Sequence, residues 1–162
     1  MSRADTDAAA GASGAATSPL DDSSPIRVDA QVAAEWLGQG MRFVSQAAAA
    51  PAVVVDGDGV AGPSPMQLLL HSLAGCTASD IVDIAAKMRL PMSHLTVSIT
   101  ATRAEQPPRR YTAIRFSYRA RGIDPADEDK LGRAVTLSHE KYCSALHSLR
   151  EDIDVRFDVH ID

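Results

Sequence analysis

The sequence predicts an α+β domain whose elements follow the order β-β-β-α-β-β-α-β. Six short segments have the period-2 alternation or the β-branched composition of strands, and two longer segments carry apolar residues at helical spacing. Strands that are grouped around helices, rather than alternating regularly with them, are typical of the α+β class. One domain is expected, because a single core can serve a chain of 162 residues.

The N-terminal stretch is rich in Ala, Gly and Ser. Residues 1–24 offer almost no large apolar side chains to offset the entropy of ordering them, so we predict a disordered tail there and a folded domain over residues 25–162. The stretch lacks the apolar run of a secretory signal, and its acidic residues are atypical of transit peptides. We therefore expect a cytoplasmic protein, whose cysteines are free, redox-sensing or catalytic.

Charge and hydropathy exclude two classes of partner. The formal net charge is −5 without a basic stripe, so nucleic acid is not expected to bind. No uninterrupted apolar run reaches the roughly 18 residues of a membrane-spanning helix, so no membrane partner is expected.

Three strands are predicted before the first helix. The segment 26–36 opens with alternating apolar and polar residues, and a Gly-containing turn leads from it into the strand 41–46. The Val-rich segment 52–55 predicts the third strand, which Asp-Gly-Asp-Gly ends with turn chemistry. Trp36 and Phe43 are expected in the core of this hairpin rather than on a binding surface.

The strongest helical segment runs from Ser64 to about Arg89. Ser64, Pro65 and Gln67 form the pattern of a capping box, in which Ser64 and Gln67 bond each other's backbone amides. Apolar residues cover more than one face, which predicts burial on most sides. Gly75 costs up to ~1 kcal/mol relative to Ala inside a helix, so we expect a close backbone contact or a kink there.

The second half of the chain predicts strand, strand, helix and strand. Segments 94–101 and 111–121 alternate apolar and polar residues on either side of a Pro-Pro turn. Asp124 and Pro125 begin a second helix, whose apolar residues continue to Leu149. The segment 153–161 alternates again and predicts the last strand.

The two cysteines lie in the two predicted helices. Neither Cys76 nor Cys143 belongs to a CxxC pair, and four clustered ligands are not evident, so the spacing predicts no metal site. From the residues alone, each cysteine could be a small buried apolar side chain or a reactive thiol.

The motifs around the cysteines resemble those of a known family. Residues 62–70 with Leu-Ala-Gly-Cys-Thr at 73–77 are similar to the central-helix signature of the osmotically inducible / organic hydroperoxide resistance (OsmC/Ohr) family. Ser-His-Glu-Lys-Tyr-Cys-Ser at 138–144 is similar to its second-cysteine signature. The separation of the motifs and the element order also match, and the resemblance covers residues 26–162.

The resemblance implies both a fold and an activity. The fold would be an intertwined homodimer in which two sheets wrap long central helices, with active sites at the subunit interface. The activity would be that of a thiol peroxidase that uses no metal or other cofactor and reduces organic hydroperoxides. Cys76 would become a sulfenic acid and condense with Cys143 into a disulfide, which a dithiol reductant would reopen.

The chain departs from the family pattern and resembles a divergent branch. Family members activate the thiolate with an Arg from the N-terminal hairpin and a Glu just after the helix-opening Pro. Arg42 is the best match for the Arg, but the Glu position falls on Met66, followed by Gln67. Because neither can anchor an Arg by charge, we expect Asp80, one turn after Cys76, to orient Arg42 or to raise the Cys76 pKa by its own charge. A third alternative is a buried carboxylate bonded to neighbouring backbone.

Two functions follow from these expectations. The peroxidase hypothesis requires Arg42 or another cation beside Cys76, which lies about three turns from the helix N-terminus and outside the reach of its dipole. Glu140 and His139 precede Cys143 by about one turn, and could tune that thiol or be solvated at the surface. The alternative is an OsmC-fold protein that binds a small molecule and has little or no peroxidase activity.

Overall fold

The structure, a computed structural model, describes residues 28–162, so the predicted tail over residues 1–24 lies outside the described residues. The compact unit Val32–Asp162 contains six strands, three α-helices, one 3₁₀ turn and one π-helical turn. The strands are β1 (Val32–Trp36), β2 (Arg42–Ala47), β3 (Val53–Asp56), β4 (His94–Arg103), β5 (Tyr111–Arg121) and β6 (Asp154–Ile161). The α-helices are α1 (Pro65–Lys87), α2 (Glu128–Leu137) and α3 (Ser144–His147).

The strands form two separate sheets. In the first, β2 lies between β1 and β3 and pairs with both in the antiparallel sense. In the second, β5 lies in the centre, antiparallel to β4 and parallel to β6. The predicted α+β class is confirmed.

The apolar face of the second sheet meets α1 and α2. Its central strand contributes two aromatic side chains that are fully buried, Phe116 and Tyr118. The helices cover them with aliphatic residues that are equally buried, namely Leu73, Ile81, Leu131 and Val135. Burying residues of this size is worth roughly 1.5–3 kcal/mol each, so this cluster dominates the apolar stabilisation of the domain.

The predicted capping box of α1 is present. The Gln67 amide donates to the Ser64 hydroxyl at 3.3 Å, and the Ser64 amide donates to the Gln67 side-chain oxygen at 2.8 Å. Pro65 takes the first helical position, where no amide is needed. The helix ends at Lys87, two residues earlier than predicted.

Within one chain α1 is buried along one face, so its burial on most sides stays a prediction. The buried residues follow one face, with Leu73, Thr77, Ile81, Ile84 and Ala85 turned to the core. The expected contact at Gly75 is also absent, because a Cβ atom there would meet nothing within 4 Å. The sequence shows that the other faces are apolar, but not what would cover them.

One helix of residues 28–162, α1, has the length and composition of a membrane-spanning segment. Core helices of soluble proteins satisfy the same criterion. Because α1 packs against β4 and α2 in the core, this property is weak evidence for a membrane.

The first strand begins later than the alternation predicts. Val28–Ala30 are exposed and lie outside the sheet, and the predicted start at Ile26 is outside the described residues. The reason is the partner strand: β2 ends at Ala47, which pairs with Val32. Trp36 is not in the hairpin core either, since 58% of it is exposed and its indole N–H donates to the Gly40 carbonyl at 2.9 Å.

The predicted second helix is broken. A 3₁₀ turn (Pro125–Asp127) precedes α2, and a π-helical turn (Ser138–Tyr142) separates α2 from Cys143, whose backbone is extended. Cys143 is therefore not helical, contrary to the prediction. The Cys143 amide donates to the Ser138 carbonyl at 2.9 Å, and this wider turn replaces the α-helical bond that continuing α2 would need.

Candidate functional site: two thiols and a carboxylate

The structure brings three of the residues singled out in the sequence together. The Cys76 sulfur, the Cys143 sulfur and a carboxylate oxygen of Asp80 all lie within 4.8 Å of one another. Cys76 and Asp80 are four residues apart on α1 and share one face of it. Cys143 reaches them from the N-cap position of α3, and both cysteines are free thiols.

The break in the second helix positions Cys143. Its sulfur accepts the Leu146 amide at 3.4 Å and so caps α3. The side chain is fully buried, whereas Cys76 is half-buried. Ser144, the residue after Cys143, places its hydroxyl oxygen 3.9 Å from the Cys76 sulfur. The same turn thus delivers a thiol and a hydroxyl to Cys76.

The surroundings of Cys76 favour its thiolate. Burial opposes ionisation of the thiol, but hydrogen bonds outweigh that cost and lower the pKa of Cys76 below its ordinary value. The first comes from the Ala145 amide, and the others come from the Cys143 thiol and the Ser144 hydroxyl. The charge of Asp80 acts in the opposite direction.

Cys143 has the opposite tendency. Burial raises the pKa of its thiol to about 11, with further contributions from Cys76 and Asp80, although the Leu146 amide lowers it. Of the two thiols, Cys76 therefore ionises first, and Cys143 keeps its proton. The pair combines one thiol that ionises readily with one that is held protonated.

Asp80 is held by a side chain rather than by the neighbouring backbone. The Ser138 hydroxyl donates to it at 2.9 Å, and Ser138 itself is fully buried at the start of the π-helical turn. Of the roles considered for Asp80, raising the Cys76 pKa through its own charge agrees with this geometry.

Arg42 is engaged elsewhere within one chain. Its Nε atom lies 3.8 Å from the carboxylate of Asp56, a buried residue at the end of β3. Asp56 also accepts the amides of Ala61, Asp58 and Val60, which lower its pKa, and Arg42 adds a smaller effect. No contact between Arg42 and Cys76 is described, so the role of Arg42 in the site stays a prediction.

Two other predicted site partners also have different surroundings. Gln67 is bonded to Ser64 in the capping box of α1. Glu140 is exposed in the π-helical turn. Their participation in the site stays a prediction as well.

His139 belongs to the core beneath the site rather than to the surface. Its Nε2 atom lies 2.7 Å from the Tyr118 hydroxyl, and its ring packs edge-on against Phe116. Burial lowers the pKa of His139 to about 4, so the ring is neutral near pH 7. Burial also raises the pKa of Tyr118, and the Thr77 hydroxyl opposes that shift. This neutral pair supports the turn that carries Cys143.

A groove of about 500 Å³ runs along α1 and reaches the site. Asp80 lines it, together with apolar and charged residues from α1, α2 and the π-helical turn: Asp83, Ile84, Lys87, Met88, Arg133, Leu137 and Tyr142. Its volume suits a small organic molecule.

The sequence did not assign roles to Ser138, Ser144 or the Ala145 amide. Both serines were visible only as part of the motif at 138–144. Their chemistry depends on the π-helical turn, and no Gly or Pro marks that turn in the sequence. Once a break at Cys143 is known, the amides and hydroxyls that follow it become candidates for contact with Cys76.

Comparison with known proteins agrees with these features. The sequence profile of the family described as OsmC-like protein matches residues 56–158, a range that includes both cysteines and Asp80. The chain belongs to the OsmC-like family. Among curated relatives, Protein YhfA of Escherichia coli K12 is 34% identical over 126 residues, which cover 77% of this chain and 92% of that protein.

Solved structures show that the OsmC-like fold is shared. The crystal structure of an OsmC-like protein from Mycoplasma pneumoniae matches with a TM-score of 0.71 at 15% identity, over 84% of this chain and 99% of that one. An organic hydroperoxide resistance protein OsmC from Legionella pneumophila matches with a TM-score of 0.63 at 15% identity, over 84% and 99% of the two chains. At these identities the likeness establishes the fold alone. Family membership is compatible with a redox role.

Proposed function

We propose that this OsmC-like protein is a thiol peroxidase that reduces organic hydroperoxides, with Cys76 as the peroxidatic and Cys143 as the resolving cysteine. The observation that carries the proposal is the proximity of two free thiols, within 4.8 Å, whose pKa values are shifted in opposite directions. Two cysteines that only fill space in a core would have no reason to differ in the direction of their pKa shifts.

In the first step the Cys76 thiolate attacks one oxygen of the hydroperoxide. A sulfur–oxygen bond forms, the oxygen–oxygen bond breaks, and the alkoxide leaves as an alcohol after taking up a proton. Cys76 is then a sulfenic acid. The Ser144 hydroxyl and the Ala145 amide support this step because they stabilise the attacking thiolate.

In the second step Cys143 attacks the sulfenic sulfur. Its thiol loses a proton, a disulfide forms, and the sulfenic oxygen leaves as water. The conversion of the Cys76 thiolate to a neutral sulfenic acid removes a negative charge that holds the proton on Cys143. A dithiol reductant then gives two electrons to the disulfide and restores both thiols. We propose that the protein is located in the cytoplasm, which supplies such reductants.

The groove beside Asp80 supports the choice of an organic peroxide. Apolar side chains of Ile84, Met88 and Leu137 line it. Asp80, whose carboxylate lies within 4.8 Å of the Cys76 sulfur, lines it too. An organic group could lie in the groove while its peroxide oxygen meets the sulfur. The same groove also supports the second candidate function, reversible binding of a small molecule. The absence of the family Glu, replaced by Met66, favours that alternative.

We also propose a homodimer. OsmC/Ohr proteins are typically homodimeric. In the isolated chain Val82 on α1 is 51% exposed, and the N-terminal sheet and its turns expose several large apolar residues: Val32, Trp36, Leu37, Met41, Val53 and Val54. Exposed apolar surface of this extent is characteristic of an interface. Light scattering at micromolar concentration should give the mass of two chains, and a monodisperse monomer would contradict the proposal.

Single-cysteine variants test the peroxidase proposal. Cys76→Ser should abolish the dithiol-dependent loss of cumene hydroperoxide. Cys143→Ser should still be oxidised once at Cys76, and should then hold a sulfenic acid that dimedone labels. Ser148→Ala, an exposed change in the same segment, serves as the control. The binding function would be favoured instead if the parent protein consumed no peroxide and both of its thiols titrated like free cysteine.

A further inference from the structure

We propose that the reduced forms of Cys76 and Cys143, together with Asp80, constitute a binding site for Zn²⁺. The three potential ligand atoms already lie within 4.8 Å of one another. In sequence these residues have no metal-binding spacing, and only the fold brings them together. The site is independent of the proposed peroxidase activity, except that both would use the same two thiols.

The set of ligands suits zinc in particular. Two thiolates and one carboxylate are ligands that Zn²⁺ accepts, whereas Mg²⁺ and Ca²⁺ prefer oxygen alone. Zn–S and Zn–O bonds of about 2.3 and 2.0–2.2 Å place tetrahedral ligand atoms roughly 3.5–3.8 Å apart. Closing around the ion would thus shorten the longest separation by about 1 Å, which side-chain rotation can supply.

The outer contacts of the ligands are those that a metal site needs. The Ser138 hydroxyl donates to Oδ2 of Asp80, which fixes the carboxylate and leaves Oδ1 for a metal. The Leu146 amide donates to the Cys143 sulfur, and such a bond is compatible with a metal-bound thiolate. Three protein ligands leave a fourth position, which a water molecule or the Ser144 hydroxyl could fill.

A zinc site also gives Asp80 a purpose that the peroxidase mechanism does not. Its half-buried carboxylate lies within 4.8 Å of both sulfurs. A divalent cation between them would be surrounded by two thiolates and a carboxylate, and its charge would offset theirs. The ion has a route inward, since Asp80 lines the 500 Å³ groove and Cys76 is half-buried. Binding would release the thiol protons to solvent.

Zinc binding and the disulfide exclude each other. Two-electron oxidation joins the two sulfurs and leaves no thiolate for the metal, so the ion is released. If the proposed function is correct, bound zinc would hold the enzyme in a reduced, inactive state.

The test is a titration of the reduced full-length protein with ZnCl₂ against a chromogenic chelator. We expect one tightly held ion per chain, and affinity that falls by about tenfold or more in Asp80→Asn. Asp154→Asn is the control, because Asp154 is exposed on β6, outside the groove, and is paired with Arg156. The Cys76→Ser/Cys143→Ser double variant gives the background. The inference is overturned if the parent protein binds no better than this variant, or if Asp80→Asn binds as tightly as the parent.

Two further measurements separate this inference from the proposed function. Co²⁺ in place of zinc should give a thiolate-to-metal charge-transfer band that is lost in either single-cysteine variant. Prior oxidation with diamide, which needs no peroxidase chemistry, should abolish zinc binding. A protein that forms the disulfide with peroxide but binds no zinc contradicts the zinc site alone. A protein that binds zinc but does not react with peroxide contradicts the peroxidase alone.

Discussion

The Ser144 hydroxyl oxygen lies 3.9 Å from the Cys76 sulfur, although the two residues belong to different helices. This contact exists because Cys143 interrupts the second helix and α3 begins immediately after it. The Ala145 amide, at the same turn, also bonds the Cys76 sulfur. Activation of Cys76 within one chain therefore comes from hydrogen bonds.

Removing one of these bonds should make Cys76 less acidic. We expect Ser144→Ala to raise the Cys76 pKa and so to reduce the fraction of thiolate at neutral pH, because one hydrogen bond to the sulfur is lost. The rate of alkylation by iodoacetamide, followed by mass spectrometry over a range of pH, measures this pKa. Ser148→Ala should leave it unchanged. An unaltered pKa in Ser144→Ala would remove Ser144 from the site.

The sign of the Asp80 effect distinguishes its possible roles. Because its charge disfavours the thiolate, Asp80→Asn should lower the Cys76 pKa and speed alkylation at low pH. Asn can still accept the Ser138 hydroxyl, so the local structure should persist. Asp83→Asn is the control on the same helix. A higher pKa in Asp80→Asn would mean that Asp80 orients a cation instead.

Arg42 is the site residue that the family resemblance predicts. We expect Arg42→Ala to leave the fold intact, since three backbone amides still bond Asp56, and to raise the Cys76 pKa and slow its reaction with peroxide. Arg156→Ala, which removes an exposed guanidinium paired with Asp154, is the control. An unchanged pKa would assign Arg42 to its ion pair with Asp56 only.

His139 should make stability depend on pH. Its folded-state pKa of about 4 lies below the ordinary 6.5, so the fold favours the neutral ring. Its contribution is complete above pH 6.5 and is lost as the pH falls toward 4, by up to about 3 kcal/mol. Urea unfolding at several pH values measures this loss. The difference in the free energy of unfolding between pH 6.5 and pH 4 should be smaller in His139→Gln and unchanged in His147→Gln. The same pH dependence in the parent protein and both variants would contradict the assignment to His139.

The sequence predicted the elements well where the pattern is local. The capping box of Ser64 and Gln67 and the strand Tyr111–Arg121 follow from neighbouring residues, and both were confirmed. The start of β1 and the exposure of Trp36 were predicted wrongly, because both depend on which segment lies beside the strand. Alternation shows that a strand has two different faces, but not what covers either of them.

The site was predicted in part for the same reason. The cysteines and Asp80 were singled out, since motif and helical spacing are sequence properties. Their assembly with Ser138 depends on the π-helical turn at 138–142, where no Gly or Pro marks the break. Spacing in the sequence predicts no metal site, but it gives no information on ligands that only tertiary folding brings together, such as Cys76, Asp80 and Cys143.

The central claim is that Cys76 and Cys143 form a peroxidatic pair, and one measurement tests it most directly. The reduced protein is treated with one equivalent of cumene hydroperoxide, blocked with iodoacetamide, and analysed by peptide mass spectrometry, with urea-unfolded protein as the control. We predict a Cys76–Cys143 disulfide that forms in the folded protein far faster than in the unfolded one, with one alcohol released per disulfide. Two alkylated thiols in the folded protein, or Cys76 oxidised beyond sulfenic acid without a disulfide, would contradict the claim.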